Sequence, residues 1–185
     1  MKSYDELMKT LSEEYNLMEQ FFESNIEIRI KDTNCFMDKS FMDHYKQDLN
    51  RIAICVRWGW SIFMDSCRSH PSGRVLMKAV SKEKLGTTNG LYLPSKNEIW
   101  INIHAIDPRK IIVHELVHHY QFCTGFLTND TWNNEKRTDT SKTSWTEKPW
   151  ERQAQDIAYA YLKGKPNEFI KDLLHRKYSS YKISL

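Results

Sequence analysis

The hydrophobic period of this chain changes several times, and each change marks an element. Over residues 4–22 the apolar positions Leu7, Leu11, Tyr15, Met18 and Phe22 recur at helical intervals, which predicts an amphipathic opening helix. Residues 25–31 instead alternate Ile26, Ile28 and Ile30 with polar side chains, the signature of a half-buried strand. The helical period returns over residues 39–67 through Phe41, Tyr45, Leu49, Ile52, Val56, Phe63 and Cys67, predicting one long helix or two with a bend near Gly59. Trp58 and Trp60 fall inside that stretch and read as core aromatics. Two β-rich runs, 91–93 and 99–103, flank the turn cluster 94–98 and predict a hairpin.

Asp107 and Pro108 then form a helix start, a capping oxygen followed by the residue best preorganised for the first helical position. The helix they open runs through Ile111, Ile112, Val113, Leu116 and Val117, and Gly125 is placed to end it. A second helix starts near Pro149 and stops before Gly164, with Ala154, Ala158 and Leu162 on its apolar side. Between the two, residues 126–149 turn polar and are too long for an ordinary connection. That stretch reads either as a cover for a site, anchored by Trp132 and Trp145, or as a linker.

Chemistry concentrates in the first of these helices. His114-Glu115-Leu116-Val117-His118 is the His-Glu-x-x-His pattern of zinc hydrolases. Four helical residues turn through about 400°, so His114 and His118 return to nearly one face and can share a tetrahedral Zn²⁺. Glu115 is then close to the open position of the ion, where a carboxylate can take a proton from a water that the cation has acidified. His119 points about 100° away from His118 and reads as structural, or as a residue supporting a ligand, rather than as a third ligand. His104, between strand and helix, reads as a surface turn histidine.

Catalytic zinc sites usually take three protein ligands. Glu151 lies in the first turn of the second helix, at the edge of its apolar side, and a carboxylate facing a core needs a cation. Glu147, Asp156, Glu135 and His175 are the other candidates, while Gln155 or Asp156 suits the task of orienting a ligand histidine through its other ring nitrogen. For an oxyanion partner, Tyr120, Arg152, Tyr159 and Tyr161 are near the right segments.

Bulk properties narrow the class. A chain of 185 residues is a single domain by expectation, with an N-terminal helical part over about 1–70 and a metal-binding core over about 75–165. Its net charge of +3 comes from basic residues scattered among acids, with no basic stripe, so nucleic acid is not an expected partner. No apolar run approaches the roughly 20 residues of a membrane span, and the first residues lack the apolar core of a secretion signal. A cytoplasmic protein with no membrane partner is therefore expected. Cys35, Cys55, Cys67 and Cys123 show no regular spacing and read as reduced, mostly buried thiols. Cys67 and His70 are close in sequence, but nothing nearby is expected to complete a second metal site.

The order of hairpin, His-Glu-x-x-His helix, polar connection and Glu-x-x-Ala-x-x-x-Ala helix resembles the ImmA/IrrE type of metallopeptidase domain over residues 91–162. The resemblance implies zinc held by His114, His118 and Glu151, with Glu115 as the motif glutamate. The polar connection is longer than in that family, and the Leu-Met-Pro-like ending is missing from the helix after Glu151. SprT-type zinc domains are the nearest rival; they take a third histidine downstream, and the only later one here, His175, has no matching motif.

The expected fold is α+β and zincin-like, helices packed around a small mixed or antiparallel sheet with the His-Glu-x-x-His helix at its centre. The expected function is a gluzincin-like zinc metallopeptidase acting on a peptide or protein substrate, with a sheet edge beside the metal to accept an extended chain. The alternative is a catalytically silent scaffold of the same fold, whose site a fourth ligand such as His119 or Asp130 would close. The oligomeric state is left open.

Overall fold

The computed structural model describes residues 27–29, 33–64, 67, 70, 71, 73–137, 144, 147–176 and 178. The helix expected over residues 4–22 and the anchor Trp145 lie outside them. The architecture is α+β. Five strands, β1 (Glu27–Arg29), β2 (Cys35–Asp38), β3 (Val75–Val80), β4 (Gly90–Leu93) and β5 (Glu98–Asn102), form one sheet in the order β1-β2-β3-β5-β4. The sheet is mixed: β2, β3 and β5 run parallel, while β1 and β4 are antiparallel to their neighbours. The expected hairpin is β4 and β5, in register from Gly90 opposite Ile101 to Leu93 opposite Glu98. Its turn needs a left-handed residue, supplied by Asn97 at φ 52°.

The helices among the described residues are α1 (Lys39–His44), α2 (Leu49–Gly59), the short α3 (Lys82–Leu85), α4 (Pro108–Cys123), α5 (Pro149–Leu162) and α6 (Asn167–His175). The long helical period over 39–67 therefore breaks earlier than Gly59. Asp38 caps α1 by accepting the Phe41 N–H, and the chain leaves the helix at Tyr45, whose hydroxyl donates to the Asn102 carbonyl at 2.7 Å. Tyr45 and Leu49 are both buried, so the turn between α1 and α2 keeps the apolar spacing that a continuous helix would show. Gly59 is the last α-helical residue before a π turn over Trp60–Met64. A Cβ on Gly59 would lie 3.0 Å from the Phe63 ring and at ordinary contact distance, 3.5 Å, from Leu116, so the tight neighbour there is the aromatic ring of the π turn.

The ends of α4 follow the sequence. The Asp107 carboxylate accepts the Arg109 N–H, Pro108 opens the first turn, and the chain leaves through Gly125 at φ 75°. Ile112, Val113, Leu116 and Val117 have no exposed surface and pack with Ile99 and Ile101 of the sheet, Ile52 and Val56 of α2, and Ala154, Ile157 and Ala158 of α5. Each such side chain contributes roughly 1.5–3 kcal/mol of burial. That gain offsets the desolvation of Glu115, His118 and His119, which the same helix carries inward.

The described residues of the polar stretch 126–149 carry structure of their own. It holds the small hairpin β6 (Thr131–Trp132) and β7 (Glu135–Lys136), and Trp132 is buried against Trp150 and Tyr178, its indole N–H donating to the Tyr178 carbonyl. No helix among the described residues is long and apolar enough to cross a membrane.

Candidate metal centre

The middle of α4 and the first turn of α5 meet at three side chains. His114 Nε2 and His118 Nε2 are 3.1 Å apart, and each is 3.2 Å from Glu151 Oε2. A hydrogen bond directs one donor at one acceptor, whereas these atoms make a nearly equilateral triangle around a common point. Zinc bonds of 2.0–2.2 Å in a tetrahedral site put neighbouring ligand atoms roughly 3.3–3.5 Å apart, close to these separations. The donor set, two imidazoles and a carboxylate, also suits zinc.

A chain of amides fixes the histidine that is deeper in the core. Gln153 Nε2 donates to the carbonyls of Leu173 and Leu174, two of the open acceptors at the end of α6. Carbonyls only accept, so this fixes the Gln153 amide, and its Oε1 accepts a hydrogen bond from Gln121 Nε2 at 2.9 Å. Gln121 Nε2 also donates to the Trp150 carbonyl, which leaves Gln121 Oε1 to accept from His118 Nδ1 at 2.8 Å. His118 thus carries a proton on Nδ1 and turns Nε2 to the centre, the outer hydrogen bond that metal-binding histidines commonly make. Replacing Gln121 with leucine is expected to weaken zinc binding roughly 10–100-fold, read by competition with a chromophoric chelator. Unchanged affinity would contradict this role.

Electrostatics favour positive charge at the same point. Burial works against a charged His118, yet Glu151, helped by Glu115 and Gln121, outweighs it and lifts the imidazole to about 9. Burial likewise pushes Glu151 up, and the two histidines overcome it and hold that carboxyl well below its usual range. Glu115 is raised, chiefly by burial, with Glu151 adding to the effect against the pull of His118 and His114. Its carboxylate accepts the backbone N–H of Tyr92.

The centre opens into a cleft of about 730 Å³. Strand β4 borders it, together with Ile111, Leu127 and Trp150, and Lys110 and Arg137 bring positive charge to its walls. The Arg137 guanidinium stacks 4.4 Å over Trp150 and donates to the Thr128 carbonyl, so the end of the β6–β7 hairpin forms part of the cleft. Because β5 is internal, the edge beside α4 is β4, not the strand that leads into the helix.

The candidates for orienting a ligand histidine and for the oxyanion partner are corrected here, and the other candidate residues find their places. Gln155 lines the cleft and Asp156 is exposed, accepting from Tyr178, so neither orients a ligand histidine; Gln121, three residues after His118 on the same helix, does. None of the four oxyanion candidates lines the cleft. Tyr120 packs edge-on against Phe63 and Phe126, Tyr161 stacks on Trp58, Arg152 lies over Tyr178, and Tyr159 is exposed. Glu147 precedes α5 and accepts the Ser144 N–H, while Glu135 and His175 are exposed on β7 and at the end of α6. Asp130 is exposed and outside the cleft wall. His119 faces the other side of α4, between the Tyr92 hydroxyl and the Gly73 carbonyl. His104 is exposed in the turn before α4, at the outer wall of the cleft.

All four cysteines are buried, and none is in a disulfide. Cys67 does have partners: it meets Cys123 and His119 across the core, contacts that neighbouring sequence does not signal. The Cys123 thiol is held down at about 5, chiefly by hydrogen bonding with Cys67, with His119 adding to the effect against burial.

No family model matches the chain, and neither a curated protein nor a solved structure was found to match it.

Proposed function

We propose that this chain is a zinc-dependent metallopeptidase with a zincin-like, gluzincin-type centre, in which His114, His118 and Glu151 hold the ion and Glu115 moves the proton. The observation that carries this reading is the triangle of ligand atoms opening into a cleft that Glu115 also lines. Bound there, zinc supplies Lewis acidity toward a carbonyl oxygen and makes water easier to deprotonate. Glu115 accepts a proton from the attacking water on its carboxylate and delivers it to the leaving amine nitrogen. A pKa raised by burial brings that carboxylate nearer the operating pH, which serves both transfers. The outer edge of β4 offers backbone groups to an extended peptide by strand addition. The order of hairpin, metal helix, polar connection and Glu151 helix supports an ImmA/IrrE-type assignment as part of the proposal. Four cysteines outside any disulfide support a cytoplasmic location.

Gly90 keeps the strand and the base together. A Cβ there would lie 2.3 Å from Ile111 Cγ2 and 2.6 Å from Glu115 Oε1. Gly90→Ala therefore has to displace either β4 or both Ile111 and the carboxylate, and hydrolysis is expected to fall on the order of 10²-fold while zinc stays bound. Wild-type turnover in that variant would show that the Glu115 position is not critical.

The reading as a whole is tested by incubating the zinc-loaded chain with unstructured peptides and identifying products by mass spectrometry. Cleavage that disappears with a chelator and returns with zinc is expected. Intact peptides in the presence of folded, zinc-loaded protein would contradict it.

A further inference from the structure

Helix α4 carries metal-ligand spacing twice. His114 and His118 form the first i, i+4 pair, and His119 and Cys123 form a second, turned about 100° around the same helix. The second pair faces the turn that starts at Cys67. Cys67 Sγ, Cys123 Sγ and a ring nitrogen of His119 all lie within 4.8 Å of one another. Cys67 and His119 have no exposed surface, and Cys123 has 8%. The turn is built tightly: the Cys67 carbonyl accepts the His70 N–H, and the His70 carbonyl accepts the Gly73 N–H. A Cβ on Gly73 would lie 1.8 Å from the Cys67 carbonyl oxygen, so only glycine fits. One compact turn thus brings both the Cys67 thiol and the Gly73 carbonyl against a single histidine.

We propose that Cys67, His119 and Cys123 form a second, structural site for a thiophilic divalent cation such as zinc, separate from the His114–His118–Glu151 centre. Two thiolates and a divalent ion sum to zero charge, so the site can lie away from water. Thiolates with an imidazole select zinc-like ions over calcium or magnesium. Tetrahedral zinc bonds of 2.3 Å to sulfur and 2.0–2.1 Å to nitrogen put sulfur and nitrogen roughly 3.6 Å apart. Cys123 Sγ is 3.8 Å from His119 Nδ1 and 3.7 Å from Nε2, so the sulfur stands over the ring, and ligation at Nδ1 requires the Cys123 side chain to turn toward that edge of the ring. His119 Nε2 donates to the Gly73 carbonyl at 3.2 Å, which orients the ring and leaves Nδ1 for the ion. Ligation at Nδ1 replaces its 3.0 Å hydrogen bond from the Tyr92 hydroxyl. Each thiol gives up its proton to solvent as the ion binds. Such a site fastens the end of the metal helix to the turn after α2.

Cobalt substitution of the full chain tests this directly, because the first centre contains no sulfur. About two ions per chain and a thiolate-to-cobalt charge-transfer band in the near ultraviolet are expected for the wild type. Glu151→Ala is expected to lose one ion and keep the band. Cys123→Ser is expected to lose one ion together with the band, as is Cys67→Ser. X-ray absorption at the zinc edge of the wild type gives an answer that needs no variant: a sulfur shell at about 2.3 Å supports the site. A band absent from the wild type, or a zinc shell of nitrogen and oxygen alone, overturns it, whether the thiols stay free or pair as a disulfide. Failure of the first centre reads differently, as a sulfur-bound ion that Glu151→Ala leaves untouched.

Discussion

Glu115→Gln is expected to keep its zinc and to lower kcat/KM for peptide hydrolysis by roughly 10²–10⁴-fold, the range that a positioned acid–base group supplies. The substitution is nearly isosteric, and its amide oxygen can still accept the Tyr92 N–H that holds the carboxylate. Glu115 is not among the three atoms that converge on the centre, so ion binding should be little changed. What the amide cannot do is take up a proton at neutral pH. The comparison is made on variants loaded to equal zinc content; turnover within a few-fold of wild type would remove Glu115 from the mechanism.

Glu151→Ala is expected to have the largest effect on the ion itself. Losing an outer partner of a ligand costs roughly 10–100-fold in affinity, and loss of a ligand should exceed that. Glu151 also supplies the main interaction that raises His118 to about 9 against burial. In chelator-treated wild type this raised value stabilises the fold below about pH 6.5, and the contribution is lost as pH climbs through about 9. Removing Glu151 should return His118 toward about 6.5 or lower and flatten that alkaline loss, as read from histidine resonances and from unfolding at several pH values. A variant that binds zinc with wild-type affinity would place the third ligand elsewhere.

The site was legible in the sequence to the extent that it is local. The pair His114 and His118, the base between them and the caps at Asp107, Pro108 and Gly125 all lie within one helix, whose period fixes their relation. Glu151 was reachable because an acid at the edge of an apolar helix face calls for a partner. What escaped depends on distant contacts. Gln121 was within reach, three residues from His118, but Gln153 matters only because α6 returns its final carbonyls to that point. The edge position of β4 follows from β5 inserting beside β3, and no hairpin pattern announces that order. Cys67 reads as one more apolar position of a helical period, and the 55 residues between it and Cys123 hide their meeting. The break at Tyr45 was hidden for the opposite reason, since the turn preserved the buried spacing.

The central claim is tested most directly by elemental analysis of zinc per chain in wild type, Glu115→Gln and Glu151→Ala, purified together and shown to be folded. Equal content in wild type and Glu115→Gln, with one ion fewer in Glu151→Ala, is the expected result. Equal content in all three would contradict the centre, because the carboxylate at its third corner would then hold nothing.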